Sequence, residues 1–147
     1  MKKLEIKVAI LFAVAIILKI ASLPGAGIMT SISLGALACV YLLFGIAIFN
    51  NIPDASCFSL EAYKSISKQR IAFSILAGWG FSAICIGALF ILMHWPGAEI
   101  TMYVGLAVTL TTAIGAFIYR KKSDFFKTIM HRFGLGILLG LACLILG

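Results

Sequence analysis

Few side chains in this sequence have the types and spacing that catalysis or metal binding needs. The four cysteines form no Cys-x-x-Cys pair and no Cys/His pattern with metal-ligand spacing. The five Asp and Glu residues lie at the ends of the apolar segments or beyond them, so no acid is left inside to relay protons. No nucleophile and base, and no glycine-rich phosphate loop, can be assigned. The sequence therefore predicts no catalytic, cofactor-binding or metal-binding residues, and a protein that is not an enzyme.

Three residues are still candidates for an interface or functional role. Lys19 lies about one turn inside an apolar segment, where an ammonium group either meets a partner or snorkels to the headgroups, and we favour snorkelling. His94 has the chemistry of a pH sensor. Beside Trp95, however, a histidine at a membrane interface more often anchors a helix end.

Membrane helices must position these residues, because 63% of the chain is hydrophobic and only 12% is charged. Soluble domains are roughly 45–50% apolar and about 25% charged. The apolar segments are continuous and do not alternate with a period of two, which favours helices over barrel strands. The predicted fold is an all-α polytopic transmembrane bundle with four long spans, 5–23, 27–50, 71–95 and 99–119, and a short fifth, 133–147.

Two of the turns between these spans repeat one phrase, "LPGA" and "WPGA". Proline suits the first turn of a helix and glycine permits a tight reversal, so each phrase predicts a helical hairpin turn. The turn residues are Pro24, Gly25 and Ala26 in one copy and Pro96, Gly97 and Ala98 in the other. One membrane domain is expected, made of repeat 1 (6–50), an amphipathic linker (51–70), repeat 2 (71–119), a second amphipathic linker (120–132) and a partial third repeat (133–147).

The start of the chain also has features of a cleaved secretory signal, with "MKK" before an apolar run that ends in "ASLPGA". Lys19 interrupts that run, and the same phrase recurs inside the chain, where no signal peptidase would act. We therefore expect the first segment to remain as a span.

The basic residues predict the orientation. Of the 12 Lys and Arg, all but Lys19 lie within residues 2–7 at the start of the chain or in the two linkers. Because cationic loops are retained on the cytoplasmic side, we expect the N-terminus and both linkers to face the cytoplasm and both Pro-Gly turns to face outward. The net charge of +7 then favours anionic lipid headgroups, and no nucleic-acid partner is predicted.

Both linkers have an apolar face, and small residues recur at four-residue spacing in the spans. Helices with such a face lie in the headgroup plane with their aromatic residues inward, and we favour an ordinary lead-in to the next span over a dedicated partner-binding helix. The face comprises Leu60, Tyr63 and Ile66 in the first linker and Phe125, Phe126, Ile129 and Phe133 in the second. The small-residue stripes include Ser31, Gly35 and Cys39, Gly78 and Ser82, and Gly136 and Gly140. They favour close helix packing within the chain over an oligomer interface.

Residues 90–98, "FILMHWPGA", resemble the hairpin signature of the GldL family of gliding-motility and type IX secretion inner-membrane proteins. The matching residues are Phe90, Met93, His94, Trp95, Pro96, Gly97 and Ala98 in this copy, and Lys19, Ile20, Pro24, Gly25 and Ala26 in the first. The resemblance implies an inner-membrane hairpin that oligomerises around a partner helix and uses acidic residues after the turn to couple proton flow to motion. Residues 28–49 and 100–118 contain no acid, so we expect the hairpin fold without the energy coupling.

We therefore expect a structural subunit or scaffold of an inner-membrane complex, with the lipid bilayer and either copies of itself or other membrane subunits as partners. A small transporter or channel component is the alternative, since internal repeats are common in transporters.

Overall fold

The computed structural model describes residues 2–119 and 124–146, and these residues contain helices and no strand. The helices are α1 (Lys2–Ile20), α2 (Ala26–Phe49), the short α3 (Glu61–Lys64), α4 (Lys68–Leu92), α5 (Ala98–Tyr119) and α6 (Asp124–Leu146). One 3₁₀ turn, Asp54–Ser56, precedes α3. The prediction of an all-helical chain is confirmed.

Within the described part of the chain, three helices are long and apolar enough to cross a bilayer, namely α2, α4 and α5. Their 24, 25 and 22 residues correspond to roughly 33–38 Å, which exceeds a hydrocarbon core of about 30 Å. Helix α1 differs because the charges of Lys7 and Lys19 confine its uncharged stretch to residues 8–18. The prediction of a membrane protein is therefore confirmed for three spans.

Helices α1, α2 and α4 end in the same backbone motif. A residue other than glycine adopts a positive φ at each end: Ser22 (54°), Asn51 (56°) and His94 (53°). The next N–H donates to a carbonyl five residues back: Leu23 to Leu18 (3.0 Å), Ile52 to Ala47 (2.9 Å) and Trp95 to Phe90 (2.8 Å). This Schellman arrangement satisfies the last carbonyls of a helix. Each of the chain's three prolines comes directly after it, where a missing N–H blocks further helix.

The two connections that contain Pro-Gly have matching backbones. Gly25 (φ 85°) and Gly97 (φ 81°) both adopt the left-handed conformation that glycine tolerates, and α2 and α5 begin at the next residue. The Gly25 carbonyl accepts from the Met29 N–H and the Gly97 carbonyl from the Thr101 N–H, at 3.1 Å in each case. The C-terminal ends of α1 and α4 contact each other, so the two turns that follow these helices lie at the same end of the bundle. This end is called the turn end. The opposite end, which carries the linkers, is called the basic end.

Helix α4 is the centre of the bundle and packs against α2, α5 and α6, while α1 packs along α2. The helices approach closely where one of them has glycine. A Cβ on Gly78 would lie 2.6 Å from the Tyr41 carbonyl oxygen of α2, and one on Gly87 would lie 2.8 Å from the Met102 Cα of α5. Small residues thus allow the backbone contacts that hold membrane helices together.

In the second linker, α6 is one continuous helix through residue 133, where the partial third repeat was expected to begin. Residues 120–123 of that linker lie outside the described part of the chain. Its aromatic face is not directed to the headgroups. Phe125, Phe126, Ile129 and Phe133 are buried, and Phe133 stacks on Phe81 of α4 with ring centroids 5.6 Å apart. These side chains complete an aromatic core between α4 and α6, and the continuous α6 is compatible with the expected lead-in to the next span.

The first linker contains only the four-residue α3 and the 3₁₀ turn. Tyr63 and Ile66 pack against a small core that includes Val40 and Ile48 of α2, whereas Leu60 is 81% exposed. The Tyr63 hydroxyl donates to the Cys57 carbonyl at 2.6 Å. Burial, and less strongly the charge of Cys57, raises the pKa of Tyr63 above its usual value.

Candidate functional site

Lys19 joins α1 to α4 at the turn end. It lies in the last turn of α1, and its Nζ donates to the carbonyl oxygen of Leu92, the last residue of α4. A cation at a helix C-terminus meets the negative end of the helix dipole and satisfies a carbonyl that has no partner within the helix. Lys19 therefore has a partner in the protein, where the sequence favoured snorkelling to the headgroups.

His94 and Trp95 form the Schellman end of α4. His94 is its left-handed residue, and the indole ring of Trp95 meets the Phe90 ring edge-on at 5.4 Å. Trp95 remains 48% exposed, which suits an aromatic ring at a membrane interface. The backbone conformation of His94 thus has a structural reason that does not involve its imidazole.

His94→Gly is expected to keep or raise the stability of the bundle. Glycine adopts positive φ without the Cβ clash that costs other residues roughly 1–2 kcal/mol. His94→Val is expected to lower stability, because a β-branched side chain is strained there. Thermal unfolding of both variants in detergent checks this. Equal loss of stability in the two would show that the imidazole itself holds the fold.

A cavity of about 510 Å³ lies between α1, α2, α4 and α6. Apolar side chains form most of its wall, among them Ala9, Phe12 and Leu37. Its polar end, toward the basic end of the bundle, consists of Glu5, Tyr41 and Arg132. Cavities with this volume, an apolar wall and a few polar groups are typical of ligand sites.

The polar end is an ion pair closed by a phenol. Arg132 Nη1 donates to Glu5 Oε1 at 2.9 Å and to Oε2 at 3.2 Å, and the Tyr41 hydroxyl donates to Oε1 at 2.7 Å. The guanidinium also lies 5.6 Å from the centre of the Phe49 ring. Only 25% of the Arg132 side chain and 14% of the Glu5 side chain are exposed. The carboxylate thus binds α1, α2 and α6 together.

This cluster was missed from the sequence, which placed Glu5 and Arg132 in cytoplasmic flanks. Arg132 lies eight residues after the start of α6, and Tyr41 lies eight residues before the end of α2. Each of these two residues is therefore roughly 12 Å from the nearer end of its helix. One signal was present: Arg132 follows Phe125, Phe126 and Ile129 at helical spacing, which extends α6 toward residue 124. Nothing in a single sequence pairs Arg132 with Glu5.

The candidate residues predicted from the sequence do not line this cavity. Lys19, His94 and Trp95 belong to the turn end, with the turn residues 24–26 and 96–98, whereas Glu5 and Arg132 lie toward the basic end. Over residues 2–119 and 124–146, no three His, Cys, Asp or Glu side chains gather in a way that could hold a metal ion. The cavity offers an ion pair and an apolar wall.

Fold and composition define an all-helical membrane protein with three apolar helices of spanning length. Residues 76–122, which cover most of α4 and all of α5, match the GldL N-terminal domain. This hairpin is therefore GldL-like, as the "HWPGA" phrase indicated. Comparison with curated proteins and with solved structures gives no match.

Proposed function

We propose that this chain is a non-enzymatic structural subunit or scaffold of a bacterial inner-membrane complex of the gliding-motility and type IX secretion kind. The observation that carries the proposal is the match of residues 76–122 to the GldL N-terminal domain. The close glycine contacts between α2, α4 and α5 support a rigid bundle. Partners that co-purify from the native membrane in mild detergent would identify the complex, and a chain that elutes alone would count against a subunit role.

The proposed architecture has four spans in two tandem hairpins, with α1 as the fourth span. The matching backbones of the Pro24-Gly25 and Pro96-Gly97 turns support a repeated unit. Two of the charges on α1 have partners in the protein, Glu5 on Arg132 and Lys19 on Leu92, and such pairing lowers the free-energy cost of a charge near the membrane.

In this topology the N-terminus and the basic end are cytoplasmic. In spheroplasts, a cysteine introduced by Gly27→Cys should react with a membrane-impermeant thiol reagent, and one introduced by Ser67→Cys should not. Cys57→Ser serves as the background, because Cys57 lies in the same linker as Ser67. Labelling at residue 67 alone would invert the topology.

The proposal includes no proton coupling by this chain alone. Proton-driven motors need an intramembrane group that gains and loses a proton. The sequence has no acid within residues 28–49 or 100–118, and Glu5 accepts bonds from both Arg132 and Tyr41. Such a carboxylate is occupied in a structural contact.

Proteoliposomes of the purified chain should therefore hold an imposed pH gradient as long as protein-free liposomes do. Lys19→Met should lower thermal stability, because the contact with the end of α4 is lost, and should leave the gradient unchanged. A proton leak that disappears in Lys19→Met or Glu5→Gln would favour a transporter over a scaffold.

A further inference from the structure

A second, polar pocket of about 330 Å³ lies at the basic end, between the turn that follows α2 and the first turn of α4. Its wall includes Asn50, Ser56, Ser65 and Arg70. It shares no residue with the cavity at Glu5 and Arg132.

Arg70 enters this pocket without an anionic partner among the described side chains. Its Nε is buried and has no hydrogen-bond acceptor. Its guanidinium lies 4.5 Å from the centre of the Phe125 ring, which covers one face of the group. Cation–π contact uses that face and does not occupy the in-plane N–H donors. Because buried donors without acceptors are rare, Arg70 indicates a missing acceptor.

The side chain of Asn50 lacks a hydrogen-bond donor for its oxygen, whereas Arg70 lacks an acceptor. Its Nδ2 donates to the Ile46 carbonyl and to Ser74 Oγ, both at 2.9 Å, which fixes the orientation of the amide. Oδ1 is then left buried without a donor. A ligand for this pocket must therefore bring acceptors for Arg70 and a donor for Asn50.

We infer that the pocket binds a phosphate group whose ligand also carries a hydrogen-bond donor. A planar guanidinium matches phosphate oxygens in a bidentate manner, and the Ser56 and Ser65 hydroxyls provide further donors. The exposed ammonium groups of Lys64 and Lys68 and the N-terminus of the 25-residue α4 add positive potential. Glu61 is exposed and does not line the pocket.

This chemistry has two sources, an ethanolamine phospholipid headgroup and free phosphate. The surroundings favour the lipid. Phe58 and Leu60, in the same linker, are 83% and 81% exposed, which suits side chains inserted at a membrane interface. An ethanolamine headgroup would direct its phosphate to Arg70 and its ammonium group to Asn50.

The test uses the full chain in dodecyl maltoside, with thermal unfolding and native mass spectrometry as readouts. Dioleoyl phosphatidylethanolamine, inorganic phosphate and dioleoylglycerol are added separately. We expect the phospholipid to bind and stabilise the chain and dioleoylglycerol, which has no phosphate, to do neither. If inorganic phosphate stabilises the chain as the phospholipid does, a phosphate group alone is sufficient for binding. If only inorganic phosphate stabilises it, the ligand of this site is soluble and not a lipid.

Arg70→Gln is expected to weaken binding about tenfold or more, since it removes a charged hydrogen-bond donor. Lys64→Gln removes a charge beside the pocket and should change binding far less. Ser65→Asp places a carboxylate in the pocket wall and should block binding even if Arg70→Gln fails to fold, while Ser65→Ala controls for the lost hydroxyl. Equal binding of dioleoylglycerol, or binding that both Arg70→Gln and Ser65→Asp leave unchanged, would overturn the inference.

Discussion

Gly78→Ala is expected to disrupt the contact between α2 and α4. A Cβ at residue 78 would lie 2.6 Å from the Tyr41 carbonyl oxygen and 3.3 Å from the Gly45 Cα. Both atoms are backbone, so no side chain can rotate away and the two helices must separate. Overpacking of this kind costs typically 1–3 kcal/mol and occasionally more, and we expect about 3 kcal/mol here.

Gly35→Ala is the matched control, because Gly35 is also a helical glycine, in α2, but a Cβ there would meet no atom within 4 Å. Alanine in a helix interior is favoured over glycine by roughly 0.5–1 kcal/mol, so this variant should be as stable as the wild type or slightly more stable. Unfolding in mixed detergent and dodecyl sulfate measures the difference. If both variants unfolded alike, close approach of α2 and α4 would not be what holds the bundle.

The same pair of glycines shows what a small-residue pattern predicts and what it does not. Both stripes, Ser31-Gly35-Cys39 and Gly78-Ser82, have the four-residue spacing of close packing. Gly78 meets a helix backbone, whereas Gly35 faces open space and Cys39 is exposed. Spacing predicts which residues would permit close approach. Which stripe is used depends on how the helices are arranged, and a single sequence does not contain that arrangement.

Helix positions were easier to predict than helix partners. The apolar runs and the three prolines gave the limits of α1, α2, α4 and α5 to within a few residues, because hydrophobicity and proline act locally along the chain. The amphipathic pattern of residues 125–133 predicted a helix that leads into the last span, but it did not predict that the aromatic residues of this helix are buried in the bundle. Local pattern cannot tell a face that meets lipid from a face that meets another helix, because both are apolar.

The charged cluster at Glu5 failed as a sequence prediction for a related reason. Flanking charges are normally solvated at the membrane surface, and Glu5 and Arg132 are separated by almost the whole chain. Only the packing of α1 on α2 and of α6 on α4 and α5 brings the two groups to 2.9 Å. Lys19 was recognised as unusual, but its partner, the Leu92 carbonyl, is a backbone atom that no side-chain pattern marks.

Arg132→Met is expected to destabilise the protein by about 2–3 kcal/mol. The change leaves the Glu5 carboxylate, which is 14% exposed, at the end of an apolar cavity with Tyr41 as its remaining donor. Loss of one partner from a fully buried ion pair costs about 3–5 kcal/mol, and the partial exposure of Glu5 and Arg132 places the expected effect below that range. Lys7→Met on the same helix as Glu5 removes an exposed charge and should change stability by less than about 0.5 kcal/mol.

A double-mutant cycle separates the ion pair from the packing around it. Glu5→Leu alone should destabilise the bundle, because the Arg132 guanidinium then lacks its carboxylate partner. Glu5→Leu combined with Arg132→Met should be more stable than either single variant, since apolar replacement of a buried ion pair is often close to neutral. Unfolding free energies of the four proteins, measured in the same detergent, give a coupling of about 1–3 kcal/mol. Additive losses would mean that Glu5 and Arg132 act independently, and the proposal that this pair fastens α1 to α6 would then be wrong.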